Sequence, residues 1–228
     1  MPRTLAVGDI HGCLTAFNTL LEFVDLRADD RLITLGDYVD RGPDSKGVLD
    51  RLIQLDASHQ LVPLRGNHEI MMLHAQESRS EFQLWKAGGG DAVLLSYGLN
   101  PNDGPDVMKL IPTSHWSFLK GKLLPFHETE SHFFVHANAD PHLELIDQPD
   151  YILYWEKFSY PVRHQSGKRM ICGHTSQKCG LPLNTPDAVC IDTWAFGNGW
   201  LTCLDVDSET LWQSNQLGET RRMQLSDC

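Results

Sequence analysis

No stretch of the 228 residues approaches the ~18 consecutive apolar positions that a membrane-spanning helix needs. A signal-peptide pattern is missing too. Leu5-Ala6-Val7 runs straight into Gly8-Asp9, too short an apolar segment, and no small-residue cleavage site follows. The expectation is a cytoplasmic chain with no membrane partner. No Cys-x-x-Cys pair occurs among the cysteines at 13, 172, 179, 190, 203 and 228. That argues against a structural zinc site or a disulfide framework and leaves free, buried thiols as the expectation. Positive charge is scarce: 19 Lys and Arg against 30 Asp and Glu give a net of −11. Such a surface repels phosphate backbones, so nonspecific nucleic-acid binding is excluded. An anionic substrate is not, because a metal cluster or a few arginines can invert the sign inside one cleft. Repeats, low-complexity tracts and a charged linker are also missing. At roughly 150 residues per domain, the expectation is one domain over residues 1–228.

What is present is an alternation. Residues 5–7, 31–35 and 61–64 are short apolar runs that read as strands. Between them, 14–26 and 48–55 carry apolar residues at helical spacing, and a third helix is predicted from about His68. This alternation points to an α/β layered fold. Segment 76–125 is harder to read; Gly88-Gly89-Gly90 and the run 100–105 are turn punctuation. Strand patterns return at 131–135, 169–172 and 188–191, with a closing antiparallel hairpin predicted over 200–206 and 210–213.

One event recurs. An apolar strand ends and a ligand-type residue follows: Asp9 and His11 after the first strand, Asp37 after the second, Asn67 after the third, then His136 and His174 after two later ones. Loops at strand ends are where α/β folds build their sites. Six oxygen and nitrogen donors suit two octahedral-type ions, with Asp37 able to bridge them. Carboxylate, imidazole and carboxamide suit manganese, iron or zinc better than copper(I) or an iron–sulfur cluster. Each residue alone is an ordinary turn residue. The ordered set Gly8-Asp9-Ile10-His11-Gly12, Gly36-Asp37-Tyr38-Val39-Asp40-Arg41-Gly42 and Gly66-Asn67-His68-Glu69, about 30 residues apart, is very specific.

These motifs resemble the signature of the PPP family of metal-dependent phosphoprotein phosphatases, its compact bacterial and phage members in particular. His136 after Phe134-Val135, Gly173-His174-Thr175 and Ile191-Asp192-Thr193 extend the resemblance over residues 5–205. It implies a central β-sandwich of two mixed sheets flanked by helices, with a dinuclear site at the loop-bearing end. Asp9, His11 and Asp37 would hold the first metal, and Asp37, Asn67, His136 and His174 the second. Of the divalent ions, manganese is expected first, iron or zinc otherwise. His68 would be the general acid, paired with Asp40, and Arg41 and Arg65 would bind the substrate phosphate. The implied activity is hydrolysis of phosphoserine or phosphothreonine in a phosphoprotein or phosphopeptide by a water that the metals activate. Diadenosine tetraphosphate hydrolysis uses the same motifs and is the alternative; compact length favours the phosphatase.

Three departures stand out. The fourth motif reads His136-Ala137-Asn138 where relatives have Gly, and Asn can keep the turn by adopting left-handed angles. Tyr154-Trp155-Glu156-Lys157 replaces a usual Trp-x-Arg. The third phosphate contact therefore falls to Lys157, a point charge rather than a fork, or to Arg163. Asp192-Thr193-Trp194 replaces Asp-Thr-Gly and predicts an aromatic wall by the cleft. Trp85, Trp116, Trp200 and Trp212 read as core or rim aromatics, and Cys13 as a packed thiol near the metals.

Overall fold

The structure, a computed structural model, describes residues 2–58, 61–159 and 161–228. The predicted alternation forms: β1 (Thr4–Val7), α1 (Leu14–Val24), β2 (Arg31–Thr34), α2 (Ser45–Ala57), β3 (Leu61–Pro63) and α3 (Asn67–His74). Helix α1 buries Ala16, Phe17, Leu20, Leu21 and Val24 along one face, the stripe expected of a helix lying on a sheet. Helix α2 starts at Asp44, whose carboxylate accepts the Gly47 N–H at 2.8 Å and so satisfies one of the unpaired donors of the first turn.

The segment that sequence leaves unread is helical: α4 (Arg79–Trp85), a π-type turn (Lys86–Gly90), α5 (Asp91–Ser96), a 3-10 turn (Pro105–Leu110) and α6 (Thr113–Gly121). The three glycines are thus a joint within a helical run rather than a loop. Phe82, Trp85, Val93, Leu94, Phe118 and Leu119 are buried and join α1 and α2 in one apolar layer.

The second half adds β4 (Phe126–Glu128), β5 (His132–Val135), α7 (Asp150–Trp155), β6 (Arg169–Cys172), β7 (Leu183–Asn184), β8 (Ala188–Cys190), β9 (Leu201–Asp205), β10 (Thr210–Ser214) and β11 (Thr220–Gln224). Two sheets result, ordered β11-β10-β9-β1-β2-β3 and β4-β5-β6-β8-β7. Both are mixed, as expected. The two-residue side-chain period of a strand sorts the core. Ala6, Ile33, Phe134, Ile171, Val189 and Leu204 face the interior between the sheets. Leu5, Val7 and Leu32 turn to the helical layer, and Phe133, Val135, Met170 and Cys172 turn to an outer layer around Leu153 and Phe158.

Each sheet contains a parallel triplet, β1-β2-β3 in one and β5-β6-β8 in the other. Their carboxyl ends carry the loops with all the predicted ligands. All six cysteines are free; Cys13, Cys172, Cys190 and Cys203 are buried, whereas Cys179 and Cys228 are exposed, contrary to the expectation of burial. No helix among the described residues is long and apolar enough to cross a membrane.

Candidate metal centre

Asp37 sits at the middle. Its Oδ2 lies 3.4 Å from His11 Nε2, and its Oδ1 lies 3.4 Å from His136 Nε2, so the two oxygens face opposite sides of the cleft. Asn67 Oδ1 is 3.0 Å from both His136 Nε2 and His174 Nδ1. Donor atoms of His11, Asp37 and His68 fall within 4.8 Å of one another, as do those of Asp37, His136 and His174. Asp9 lies outside both groups: its carboxylate accepts the His174 N–H at 3.0 and 3.1 Å. It remains close enough to feel its neighbours. Burial, then repulsion from Asp192 and Asp37, holds the Asp9 carboxyl well above the usual range.

The imidazoles are set by their outer nitrogens. His11 Nδ1 reaches the Val39 carbonyl at 2.8 Å, His136 Nδ1 the Leu35 carbonyl at 2.8 Å, and His174 Nε2 the Trp155 carbonyl at 3.2 Å. A carbonyl only accepts, so each ring donates there and presents a lone pair inward, the arrangement that orients metal-ligating histidines. Burial pushes His11 well below its ordinary value and His174 down to about 4, which keeps both neutral at physiological pH. The inner nitrogens of three imidazoles, a carboxamide oxygen and a carboxylate therefore converge. This donor set fits divalent cations of the manganese, iron or zinc kind.

His68 differs from the other three. Its Nδ1 donates to Asp40 Oδ2 at 2.6 Å, and its Nε2 lies 3.9 Å from Asp37 Oδ2. Burial pushes the imidazolium down, but the Asp37 charge and the Asp40 hydrogen bond outweigh it, and the net shift is upward. His68 is thus the ring here suited to carry and release a proton. Arg41 places Nη1 3.1 Å from His11 Nε2, and the buried Arg65 Nε has no hydrogen-bond partner among the described residues. Both guanidiniums are disposed to take an anion. Lys157 and Arg163 are exposed, without a hydrogen bond or ion pair among the described residues.

The loops that carry these groups are strained. Eight described non-glycine residues have positive φ, and six of them are His11, Asp37, Asp40, Arg41, His174 and Trp194. Such angles persist only where surroundings over-determine them, and they cluster at functional sites. Glu69 supplies much of that constraint. One oxygen accepts the N–H of Tyr38 at 2.7 Å and of Val39 at 3.3 Å; the other accepts those of Asp37 and Gly66, both at 2.9 Å. Residue 66 must be glycine, since a Cβ there would stand 2.2 Å from Asp37 Oδ1. In sequence Glu69 is only the last residue of Gly66-Asn67-His68-Glu69, with nothing to mark this task. Asn138 is not among the left-handed residues, so the fourth turn closes without the conformation expected of it. Cys13 is a packed thiol as read, its Sγ 3.5 Å from the His11 carbonyl and its pKa pushed by burial up to about 12.

The sequence profile of the calcineurin-like phosphoesterases matches residues 2–178. The chain belongs to the calcineurin-like phosphoesterase family. The His/Asp cluster is compatible with the dinuclear divalent site of such phosphoesterases. Among relatives of this calcineurin-like chain is a symmetrical bis(5'-nucleosyl)-tetraphosphatase of Nitrosomonas europaea, 26% identical over 92% of this chain and 97% of its own length. Another of that name, from Cellvibrio japonicus, is 34% identical over 60% of this chain and 46% of its own. Serine/threonine-protein phosphatase 1 of Salmonella typhimurium is 43% identical over 37% of this chain and 38% of its own. The last two matches therefore span less than half of those relatives. A cold-active protein-tyrosine phosphatase of a psychrophilic Shewanella superposes with a TM-score of 0.65 at 17% identity, covering 98% of this chain and 81% of that one. A Sphaerobacter thermophilus metallophosphoesterase does so with 0.54, also at 17%, covering 98% and 88%. These two superpositions speak to the fold.

Proposed function

We propose that the chain hydrolyses dinucleoside tetraphosphates at a dinuclear centre held by Asp9, His11, Asp37, Asn67, His136 and His174. The observation that carries this reading is a pair of edge-to-face rings, Phe196 and Trp194, beside His11, with a cation over each ring. The Phe196 ring meets the His11 ring edge-on at 5.0 Å, and the Arg41 guanidinium lies 4.6 Å from it. Trp194, the predicted aromatic wall, packs edge-on to Phe196 at 6.2 Å, and Lys178 Nζ lies 5.5 Å from the Trp194 ring. A phosphate chain ending in an aromatic base matches that sequence of groups. The Nitrosomonas relative, aligned nearly end to end, supports the same substrate. Compact length, which favours a phosphoprotein substrate in the sequence reading, loses its weight beside that match. The phosphoprotein reading rests on the 88-residue match to the Salmonella phosphatase and stands second.

Two divalent ions, manganese by preference, would supply Lewis acidity and an activated water. Arg41 and Arg65 hold the phosphate under attack and stabilise the charge spread over its outer oxygens. The water oxygen bonds to phosphorus, the bridging P–O bond breaks, and His68 Nε2 protonates the departing oxygen. Asp40 keeps the opposite nitrogen protonated and the ring aimed.

ADP formation from diadenosine tetraphosphate and phosphate release from a phosphopeptide, measured side by side after chelation and manganese restoration, test the substrate. Preferential turnover of the peptide would overturn the dinucleotide reading. Trp194→Gly keeps the left-handed backbone while deleting the ring. It is expected to raise KM for the dinucleotide about tenfold, as loss of one base–aromatic stack does, and to leave p-nitrophenyl phosphate unchanged. His68→Asn is expected to bind both metals and to slow phenyl phosphate at least tenfold more than p-nitrophenyl phosphate, whose leaving group needs no proton. Equal slowing of the two esters would remove His68 from the acid role.

A further inference from the structure

We propose that residues 85–90 act as a positioning clamp, in which Trp85 fixes the Asp40 carboxylate behind His68 and Gly89 fixes the Arg41 backbone. One turn, distant in sequence from every metal-site motif, would then set both the proton donor and the phosphate fork.

The Trp85 indole N–H donates to Asp40 Oδ1 at 2.8 Å, while Asp40 Oδ2 takes His68 Nδ1 at 2.6 Å. Trp85 is 1% exposed and Asp40 fully buried, so water does not compete for either oxygen. A carboxylate held by one neighbour can swing about its own bond. Held at both oxygens it has one orientation, and the imidazole plane and the direction of Nε2 follow from it. The indole is placed in turn by Gly90, where a Cβ would come within 2.3 Å of Trp85 Cε2.

The second contact is four residues on. The Gly89 carbonyl accepts the Arg41 N–H at 3.2 Å. Gly89 has φ +116°, and a Cβ there would stand 2.9 Å from both Arg41 N and Cγ. Asp40 and Arg41, at φ +71° and +69°, are successive left-handed residues that carry side chains. That pair is disfavoured by itself and needs outside contacts to persist. The turn supplies one contact to each member. This accounts for Gly89 and Gly90 within a helical run, where helix propensity alone would disfavour them.

The inference rests on the roles given to His68 and Arg41 above, and His68→Asn serves as the reference. Trp85→Phe keeps a ring and removes the N–H. It is expected to lower kcat on phenyl phosphate about tenfold, the usual size of a lost supporting contact, with KM and the p-nitrophenyl phosphate rate within twofold of wild type. Gly90→Ala, which displaces the indole without deleting it, is expected to give the same pattern should the Phe variant fail to fold. Gly89→Ala is expected to raise KM for both esters, and the inhibition constant of inorganic phosphate, about tenfold, with the leaving-group dependence unchanged. The clamp is overturned if His68→Asn shows leaving-group dependence while Trp85→Phe and Gly90→Ala slow both esters equally, or if Gly89→Ala leaves phosphate inhibition at the wild-type value. A His68→Asn variant without leaving-group dependence would instead overturn the acid assignment on which the clamp is built.

Discussion

Asp37→Asn is expected to cost the protein both divalent ions and to lower turnover about 10³-fold, since Lewis-acid stabilisation is worth several kcal/mol and each 1.36 kcal/mol is a factor of ten. The reason is geometric. Asp37 Oδ2 serves the His11 side and Oδ1 the His136 side, while Oδ1 also accepts the His68 N–H at 3.0 Å from the first turn of α3. A carboxamide has one oxygen and can serve one side; its NH2 would face the inward lone pair of an imidazole. Charge matters as well. Burial works against an ionised Asp37, yet His136 and His68 beside it hold its carboxyl well below the usual range. Losing that charge leaves Asp9, whose carboxyl is held high, as a poor substitute. Metal content after gel filtration, measured together with kcat, checks the expectation. Two ions per chain with full turnover would remove Asp37 from the bridging position, and one ion would show that the two sides are held separately.

The candidate site is legible in sequence because its chemistry is local. Asp9, His11, Asp37, Asn67, His136 and His174 each follow an apolar strand directly, and a strand that ends in a parallel triplet delivers its next residue to a common edge. The sandwich followed from the resemblance those motifs carry. The groups that hold the ligands were less visible, for two physical reasons. Backbone angles leave no signature when the residue is not glycine, so the left-handed turns at Asp40, Arg41 and His174 could not be read. Long-range hydrogen bonds leave none either: Trp85 is indistinguishable from any core tryptophan until its N–H is found on Asp40, 45 positions away. The strands that escaped notice, β4, β7 and β11, lie at or next to sheet edges, where one face is wet. In β11 exposed and half-buried residues alternate from Thr220 to Gln224, and no residue is fully buried to mark it.

Glu69→Gln is the substitution that should most damage the fold around the centre. The Glu69 carboxylate is fully buried and accepts four backbone N–H groups, three from the Asp37 loop and one from Gly66. It therefore fastens the loop after β2 to the start of α3. Burial and the Asp37 charge push its carboxyl up to about 7, and the N–H donors at Tyr38 and Gly66 oppose that rise. Glutamine keeps the volume but offers one acceptor oxygen, and its NH2 would confront N–H groups that have no other partner. A buried donor left unsatisfied costs about 1–3 kcal/mol, so about 3 kcal/mol is expected for the pair that glutamine abandons. For a chain of this size 1 kcal/mol corresponds to about 2–4 °C, so the melting temperature should fall by about 6–12 °C. Because the same bonds hold Asp37 and Asn67 in register, manganese affinity should fall as well, by about 10–100-fold. Melting curves with and without manganese separate the two effects. A fall confined to the metal-loaded protein would mean that Glu69 acts on the ligands alone. A fall in the stripped protein of the same size or larger identifies it as the tie between the two loops, with metal affinity lost because the loops part.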